Sequence, residues 1–433
     1  MELSTQLCSL YVYEFYSSKK LAKSMSSLYK ISIRIFAFCA ISFFTTLGAL
    51  LFAQSDEDES SLHVGGAVRY NMLLTSYESD IDATSSQFTW DTWRINVLYD
   101  NPGGIGLNFE YRFYPTFGTH FIKQGWLEYN FSESTQGQLG VTQVPFGNLQ
   151  YNSNNWWFSL PYYVGLEDDH DMGLKITHHT ENMQWDFAYF FQPEPEGPPA
   201  SFGTGGSGRY SYDVIPGGNA SLTERNQFNV RGAYKLDNGE IGASLQAGQL
   251  YSLAQDEFKG RYAAAVHGSF NFGNFNVMPQ FLYYTKDAID DDGQEISTVF
   301  MGAYGIPYEV STEAWIATLG LSYSYDVDWG PITNINFYND FSYMGNSVGE
   351  GTTLRATGDN LTLDDNFQYT IQNITGFLVS AGPVFTYFDI AQGINQPWLT
   401  DNFGVGVGPG HEDLGIGESE YNIRFNINIG FYF

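Results

Sequence analysis

Cysteine is nearly absent from this chain, and long apolar runs are absent after its first 53 residues. The only two cysteines among 433 residues are Cys8 and Cys39. If that first segment is removed, the remainder can form no disulfide, no thiolate metal site and no cysteine nucleophile. Seven histidines are present, but none lies in a motif with a nucleophile. We therefore expect a non-enzymatic protein with no catalytic residues, no metal and no cofactor.

Charged residues are also scarce, and positive charge is the scarcer sign. Asp, Glu, Lys and Arg make up 15% of the chain, against roughly 25% in typical soluble proteins. Beyond residue 53 the chain has 14 basic and 46 acidic residues, a net charge of −32. This balance excludes nucleic acid as a partner, because phosphate neutralisation needs cationic side chains. Aromatic residues (17%) and 46 glycines are abundant instead, which is typical of a sheet facing lipid.

The one long uncharged run is Ile35–Ala53, and it follows Lys30 and Arg34. A basic flank, an apolar stretch and a small final residue are typical of a secretory signal peptide. We assign residues 1–53 to a signal peptide, with Met25 as an alternative start, and residues 54–61 to an acidic N-terminal segment. The alternative is an uncleaved membrane anchor, since the run of 19 residues is long enough to span a bilayer.

The strongest structural signal is a period of two, which predicts β-strands with one apolar face. In Tyr421–Phe433 every odd position is apolar or aromatic, and the even positions through 430 are Asn, Arg or Gly. The same alternation recurs in Trp93–Tyr99, Ile105–Phe113 and Trp185–Phe191. A terminal strand that ends on an aromatic residue, here Phe433, resembles the assembly signal of outer-membrane barrels.

Connections between the predicted strands alternate in length over residues 62–433. Seven short turns and eight longer segments imply sixteen strands, with short periplasmic turns and long external loops. Ile296–Tyr304 is strand-like, but counting it would give an odd number, so we place it in the sixth loop. We predict an all-β, 16-stranded antiparallel transmembrane β-barrel, because lipid cannot satisfy an open sheet edge.

Three segments, together with the terminal strand, carry a family resemblance. They are Gln138–Gly147 (QLGVTQVPFG), Asn336–Met344 (NFYNDFSYM) and Gly376–Trp398. These segments resemble the phosphate-selective porin family of Gram-negative bacteria. The resemblance implies a sixteen-stranded, commonly trimeric channel in the outer membrane, with lipid and lipopolysaccharide around it. Members of that family use many arginines and lysines, so the 14 basic residues here point to the architecture rather than to phosphate.

The alternation predicts that four arginines point into the lumen. They belong to the first, second, third and sixteenth strands, which become neighbours when the barrel closes: Arg69, Arg94, Arg112 and Arg424. Each lies a comparable distance from the periplasmic end of its strand, given a rise of ~3.3 Å per residue. One hypothesis is a basic patch at mid-barrel. The alternative is that these arginines pair with the lumenal acids Glu110 and Glu128 and only brace the wall.

The third long connection, near Pro145–His170, is expected to fold into the barrel, as the resemblance implies. Trp156 and Trp157 would pack it against the wall. Its carboxylates would then face the arginines and create a transverse field that favours polar solutes; they are Glu167, Asp168, Asp169 and Asp171. The alternative is that these acids lie on the loop surface.

These patterns predict an outer-membrane channel for passive diffusion of small hydrophilic solutes and ions. The alternative is a non-conducting barrel that acts as adhesin, receptor or structural protein. Only about eight residues separate Gln54 from the first strand, which leaves no plug domain and favours an open channel. A second acidic group, Asp290–Asp292 with Glu295, has Ala288 in place of the first EF-hand ligand. We interpret it as loop acid that bridges to lipopolysaccharide through divalent cations.

Overall fold

Sixteen strands, each paired with its neighbours in chain order, close into one antiparallel barrel. The computed structural model describes residues 60–75, 88–199, 207–304, 307–346, 353–354, 361–362, 369–394 and 421–433. The predicted 16-stranded barrel is confirmed. The predicted signal peptide at 1–53, and residues 54–59 of the acidic segment, lie outside the described residues.

The strands of the barrel are labelled β1 to β16. Their bounds are β1 Ser61–Thr75, β2 Phe88–Asp100, β3 Ile105–Tyr114, β4 Thr119–Ser132, β5 Thr135–Gln143, β6 His170–His179, β7 Met183–Pro193, β8 Leu222–Leu236, β9 Gly239–Ser252, β10 Glu257–Phe272, β11 Phe275–Lys286, β12 Glu313–Trp329, β13 Ile332–Asn346, β14 Tyr369–Ala381, β15 Val384–Ile394 and β16 Tyr421–Tyr432. No helix in the described part of the chain is long and apolar enough to cross a membrane.

The ring closes where the first strand meets the last. In β1, Arg69 lies opposite Gly430 of β16, and Asn71 lies opposite Asn428. The backbone N–H of Gly66 donates to the Phe433 carbonyl at 2.8 Å, and the Phe433 N–H donates back at 3.1 Å. Closure gives both terminal strands a partner on each side, so neither presents an unpaired edge to lipid.

Each strand has an apolar outer face and a polar inner face, as the period of two predicts. In β9 the outward side chains Ile241 and Leu245 are 53% and 62% exposed, whereas the inward Ser244 and Gln246 are 1% and 5% exposed. Large apolar side chains left exposed in this way are stable only against lipid. The outer wall therefore has the character of a membrane-embedded barrel.

Some of the short turns depend on glycine in the left-handed region. Gly330 joins β12 to β13 with φ +61°, and Gly382 joins β14 to β15 with φ +60°. A Cβ added at either position would meet no atom within 4 Å, so space does not exclude a side chain there. The requirement is conformational, because L residues other than Asn and Asp rarely adopt this φ.

Three of the external connections fold together inside the barrel. We call residues 144–169 loop 3, residues 194–221 loop 4 and residues 287–312 loop 6. Loop 3 contains the 3₁₀ helix Leu160–Val164. Strands from loops 4 and 6 form a separate three-stranded sheet from Asp213–Val214, Thr298–Gly302 and Tyr308–Ser311. The assignment of Ile296–Tyr304 to the sixth loop is thereby confirmed.

Two shorter ladders complete the described connections. Ala288–Ile289 pairs with Glu295–Ile296, and Thr353–Leu354 pairs with Leu361–Thr362.

Tyrosines join loops 3, 4 and 6 into an apolar cluster within the lumen. Tyr212 stands edge-on to Tyr162 at 5.4 Å between ring centroids, and the Tyr308 hydroxyl donates to the Tyr163 carbonyl at 2.7 Å. The loops thus fill a part of the lumen that the sequence alone left open.

Candidate functional site

Four arginines and the aromatic side chains of loop 3 enclose a cavity of about 250 Å³. The arginines come from β1, β2, β3 and β16, and they are Arg69, Arg94, Arg112 and Arg424. We call this group the arginine wall. The structure therefore brings together the four residues that alternation alone placed on one side of the lumen. Arg94 and Arg112 lie directly opposite each other on neighbouring strands.

Arg69 is held between the barrel wall and loop 3. Its Nε donates to Asn428 Oδ1 at 2.8 Å, and the same nitrogen lies 3.7 Å from the Asp91 carboxylate. The Trp156 ring covers its guanidinium at 3.7 Å, a cation–π contact. The Tyr432 hydroxyl also accepts a hydrogen bond from Arg69 Nη1. These contacts fix the charge in place without cancelling it fully.

Arg94 and Arg112 share one carboxylate. Glu110 lies 2.5 Å from Arg112 Nε and 3.5 Å from Arg94 Nη1, and it also accepts from the Asn96 amide at 2.7 Å. The Arg112 guanidinium lies 4.5 Å from the Tyr210 ring of loop 4. Because two guanidiniums meet one carboxylate, this pairing leaves a net positive charge beside the cavity.

Arg424 completes the wall from β16. Its guanidinium lies 4.5 Å from the Trp157 ring, so both loop tryptophans named from the sequence cover an arginine. The cavity lining includes only one carboxylate, Asp91, and Glu110 stands immediately behind. Within the described part of the chain, Arg69, Arg94 and Arg112 share two carboxylates, Asp91 and Glu110.

Arginines elsewhere in the lumen are balanced more fully. Arg231 of β8 lies 2.6 Å from Glu240 and 3.7 Å from Asp186, and its Nε donates to the Gly147 carbonyl at 2.8 Å. Arg261 of β10 pairs with Glu224. Arg231 and Arg261 thus each have a carboxylate partner of their own, whereas Arg94 and Arg112 share one.

Loop 3 is held in the lumen by β13 and β14, which lie across the ring from the strands β5 and β6 that the loop connects. Asp340 of β13 accepts from the backbone N–H groups of Asn154 and Asn155 at 2.8 and 3.0 Å. It also accepts from their side-chain amides at 2.9 and 2.7 Å. In β14 the Gln372 amide donates to the Phe158 carbonyl at 2.6 Å. These bonds position the aromatic face of the loop against the arginine wall.

None of the four acids predicted in loop 3 lines the cavity. Glu167, Asp168, Asp169 and Asp171 are all buried away from the cavity lining. Glu167 turns back into its own loop, where it accepts from Asn152 N at 3.0 Å and Ser159 N at 3.1 Å. Burial raises the pKa of this carboxyl to about 8 despite those bonds.

Asp168 makes a different set of contacts on the far side of the loop. It lies 3.3 Å from Lys123 Nζ of β4 and accepts from the Tyr210 hydroxyl at 2.6 Å. Burial raises its pKa, although Lys123 and Tyr210 oppose that shift. Both carboxylates therefore accept from buried donors, Glu167 from N–H groups of its own loop and Asp168 from Lys123 and Tyr210.

Two further sequence-stated positions lie away from the cavity. Glu128 of β4 accepts from the Trp126 indole at 2.9 Å and does not line the arginine wall. Phe433 directly follows β16 and is 64% exposed. Sequence reasoning missed Asp91 and Asp340. A register shift in β2 between Trp90 and Trp93 hides the inward direction of Asp91, whereas Asp340 alternates regularly with its neighbours.

Solved structures that share this fold are outer-membrane channels. The outer membrane channel DcaP of Acinetobacter baumannii is 12% identical, with 88% of this chain and 99% of that chain covered and a TM-score of 0.54. An anion-selective porin from Comamonas acidovorans is 13% identical, with 87% and 100% covered and a TM-score of 0.52. Salmonella typhi OmpF in complex with daunomycin is 11% identical, with 88% and 99% covered and a TM-score of 0.52.

At these identities the likeness shows the fold alone. No protein-family model matches the chain, and no curated protein matches it significantly. The class that the fold defines is the porin-type barrel of Gram-negative outer membranes. The apolar outer wall of the barrel is consistent with that location.

Proposed function

We propose that this chain is an outer-membrane channel for passive diffusion of small hydrophilic solutes, with a preference for anions. The observation that carries the proposal is the arginine wall, where three guanidiniums, those of Arg69, Arg94 and Arg112, share two carboxylates beside one cavity. Charged rings at a narrow point attract the ion of opposite sign and repel the other. The acids of loop 3 do not line the cavity, so the guanidiniums are the nearer charges to a solute there.

The aromatic side of the cavity supports the same proposal. Trp156 covers the Arg69 guanidinium and Trp157 covers that of Arg424, so each charge is held at the cavity by an aromatic ring of loop 3. A planar guanidinium offers several N–H donors in a fixed geometry that matches carboxylate and phosphate oxygens. Small organic or inorganic anions are therefore the solutes that this site suits best.

The test is the reversal potential of the refolded barrel in a planar bilayer under a potassium chloride gradient. We expect an anion-selective sign for the native chain. Arg94→Gln removes one charge from the arginine wall and shifts the reversal potential towards cation selectivity. Lys259→Gln is the matched control, because it removes the same charge at a position ion-paired with Glu257 outside the cavity. A native potential of cationic sign, or equal potentials in both variants, contradicts the proposal.

A non-conducting barrel that acts as adhesin, receptor or structural protein is the second candidate. The observation that favours it is the buried tyrosine cluster of loops 3, 4 and 6 within the lumen. The same bilayer experiment separates the two candidates. A folded barrel that inserts but gives no stepwise current supports the second function and rejects the first.

Export, assembly and oligomeric state belong to the proposal as well. We propose that residues 1–53 direct export, that the barrel-assembly machinery reads the terminal Phe433, and that the mature chain forms a homotrimer among lipopolysaccharide. The basic flank and the apolar run before residue 54 support export, and the aromatic end of the terminal strand supports the role of Phe433. Cross-linking of the detergent-extracted protein tests the trimer: a ladder that ends at three subunits is expected, and a monomer alone contradicts it.

A further inference from the structure

Five carboxylates meet where the end of loop 3 joins β6. Asp169 ends loop 3, Asp171 is the second residue of β6 and Asp213 belongs to loop 4, and one oxygen from each lies within 4.8 Å of the others. Glu194 of loop 4 and Glu224 of β8 are neighbouring acids. All five are at most 4% exposed. Buried acids so close together repel one another strongly.

Part of this cluster is satisfied by the protein itself. Glu194 Oε1 accepts from the Tyr210 and Ser211 N–H groups at 3.1 and 2.8 Å. Glu224 Oε1 accepts from Val214 N at 3.1 Å, and its other oxygen pairs with Arg261. These bonds fix the carboxylates in place, so the cluster is preorganised.

Other oxygens of the same cluster have no donor. Within the described part of the chain, no hydrogen-bond partner reaches Asp169 Oδ1, Asp171 Oδ1, Asp213 Oδ1 or Glu194 Oε2. A buried carboxylate oxygen without a partner carries a large desolvation cost. Four such atoms in one place favour a ligand that supplies positive charge.

The charged groups around the cluster show how much positive charge such a ligand would supply. The nearby cations are Arg209, Arg261 and Lys286. Against five carboxylates they leave two negative charges uncompensated. A divalent cation supplies the missing charge.

We propose that Asp169, Asp171 and Asp213 bind a divalent cation of the calcium type, with Glu194 as a further oxygen ligand. The donors are all carboxylate oxygens, which hard cations prefer, whereas imidazole or thiolate donors would favour transition metals. The ion would tie the end of loop 3 to β6 and to loop 4. It would therefore hold the loop that covers the arginine wall, and this inference does not depend on whether the barrel conducts.

Terbium luminescence of the refolded full-length barrel in detergent, without lipopolysaccharide, tests the site. Terbium occupies oxygen-donor calcium sites, and the adjacent tyrosines Tyr210 and Tyr212 can sensitise it. We expect saturable binding of one ion per chain that calcium displaces. Asp171→Asn with Asp213→Asn should weaken the apparent affinity by at least about 10-fold, the effect of losing even an indirect metal contact. If the native chain shows no saturable terbium binding, the proposal is overturned.

The control variant is Asp292→Asn with Glu295→Gln in loop 6. Both residues are exposed, and the variant removes the same two charges from the other acidic cluster of the chain. It should bind terbium like the native protein. Equal binding by the native chain, the control and the Asp171/Asp213 variant would show adventitious surface binding and reject the site.

Thermal unfolding separates a metal site from a purely structural cluster. In chelator the Asp171/Asp213 variant should melt at the same temperature as the native barrel or higher, because it relieves carboxylate repulsion. In calcium the order should reverse, because only the native chain gains the binding free energy. A variant that is less stable by the same amount in both conditions overturns the proposal.

Discussion

Asp340 is the residue on which the position of loop 3 depends most. Its two carboxylate oxygens accept four N–H groups from Asn154 and Asn155, at distances of 2.7 to 3.0 Å. Each donor left buried without an acceptor costs about 1–3 kcal/mol. One side chain on β13 therefore decides whether the loop stays across the lumen.

The substitution Asp340→Ala should release loop 3 while leaving the barrel folded. We expect a larger single-channel conductance and a noisier open state, because the aromatic wall of the cavity loses its anchor. Asp326→Ala on β12 is the control, since that exposed carboxylate accepts from Asn334 of the neighbouring strand at 2.9 Å. A folded Asp340→Ala barrel with native conductance would show that other contacts hold the loop.

Glu167 should make the stability of loop 3 depend on pH. Burial raises its folded pKa to about 8, whereas an unfolded glutamate titrates near 4.3. A raised folded pKa means that the contribution to stability is complete below about pH 4.3 and is lost as the pH rises through 8. The limiting slope is about 1.4 kcal/mol per pH unit.

The variant Glu167→Gln removes this titration. In the native barrel Glu167 should lower the unfolding temperature as the pH rises from about 4.3 to 8. The variant should not show this part of the decrease. Circular dichroism melts in detergent at several pH values measure it. Identical pH profiles for the two proteins would mean that Glu167 is not protonated in the folded state.

Strands are the elements that meet lipid, and their tolerance to charge should follow their depth. Leu245 lies in the middle of β9 with its side chain 62% exposed, and Leu253 lies just beyond the strand at 56%. We expect Leu245→Arg to destabilise the barrel by about 2–4 kcal/mol and Leu253→Arg by about 0–1 kcal/mol. Urea unfolding in lipid vesicles compares them. Equal losses would place Leu245 outside the hydrocarbon layer.

Local alternation explains why the strands and the arginine wall could be predicted from the sequence. Inward and outward positions follow from a period of two, so the placement of Arg69, Arg94 and Arg112 needs no long-range information. The acids of loop 3 could not be placed in this way. Their direction depends on contacts such as those of Asp340, which is 185 or more residues away in sequence from its loop partners. Asp91 was missed because a register shift in β2 interrupts the alternation.

At the scale of the whole molecule, the pairing of β1 with β16 decides whether a barrel exists. Removing Tyr421–Phe433 would leave the pairing edges of β1 and β15 open. Each unsatisfied backbone group in lipid costs several kcal/mol, so no folded barrel should form. The measurement is the heat-modifiable shift on an electrophoresis gel after refolding. A shifted band from the truncated chain would contradict ring closure as the source of stability.

The variant Phe433→Ala separates pairing from recognition. The backbone of residue 433 still bonds with Gly66 in this variant, so refolding in detergent should proceed as in the native chain. In cells the amount of assembled barrel should fall, because the aromatic end is what the assembly machinery reads in the proposal above. Loss of folding in both settings would assign Phe433 a purely structural role.

Loop 3 also has a mechanical consequence for the ring. It leaves β5, contacts β11 through the Asn148 N–H and Gln280 at 2.9 Å, reaches β13 at Asp340, and returns to β6. A segment attached on both sides of a ring acts as a chord. Lateral pressure from the bilayer can flatten an empty ring into an ellipse, but stretching this one along the chord requires several buried hydrogen bonds to break at once. The cross-section is therefore stiffer along the chord than across it.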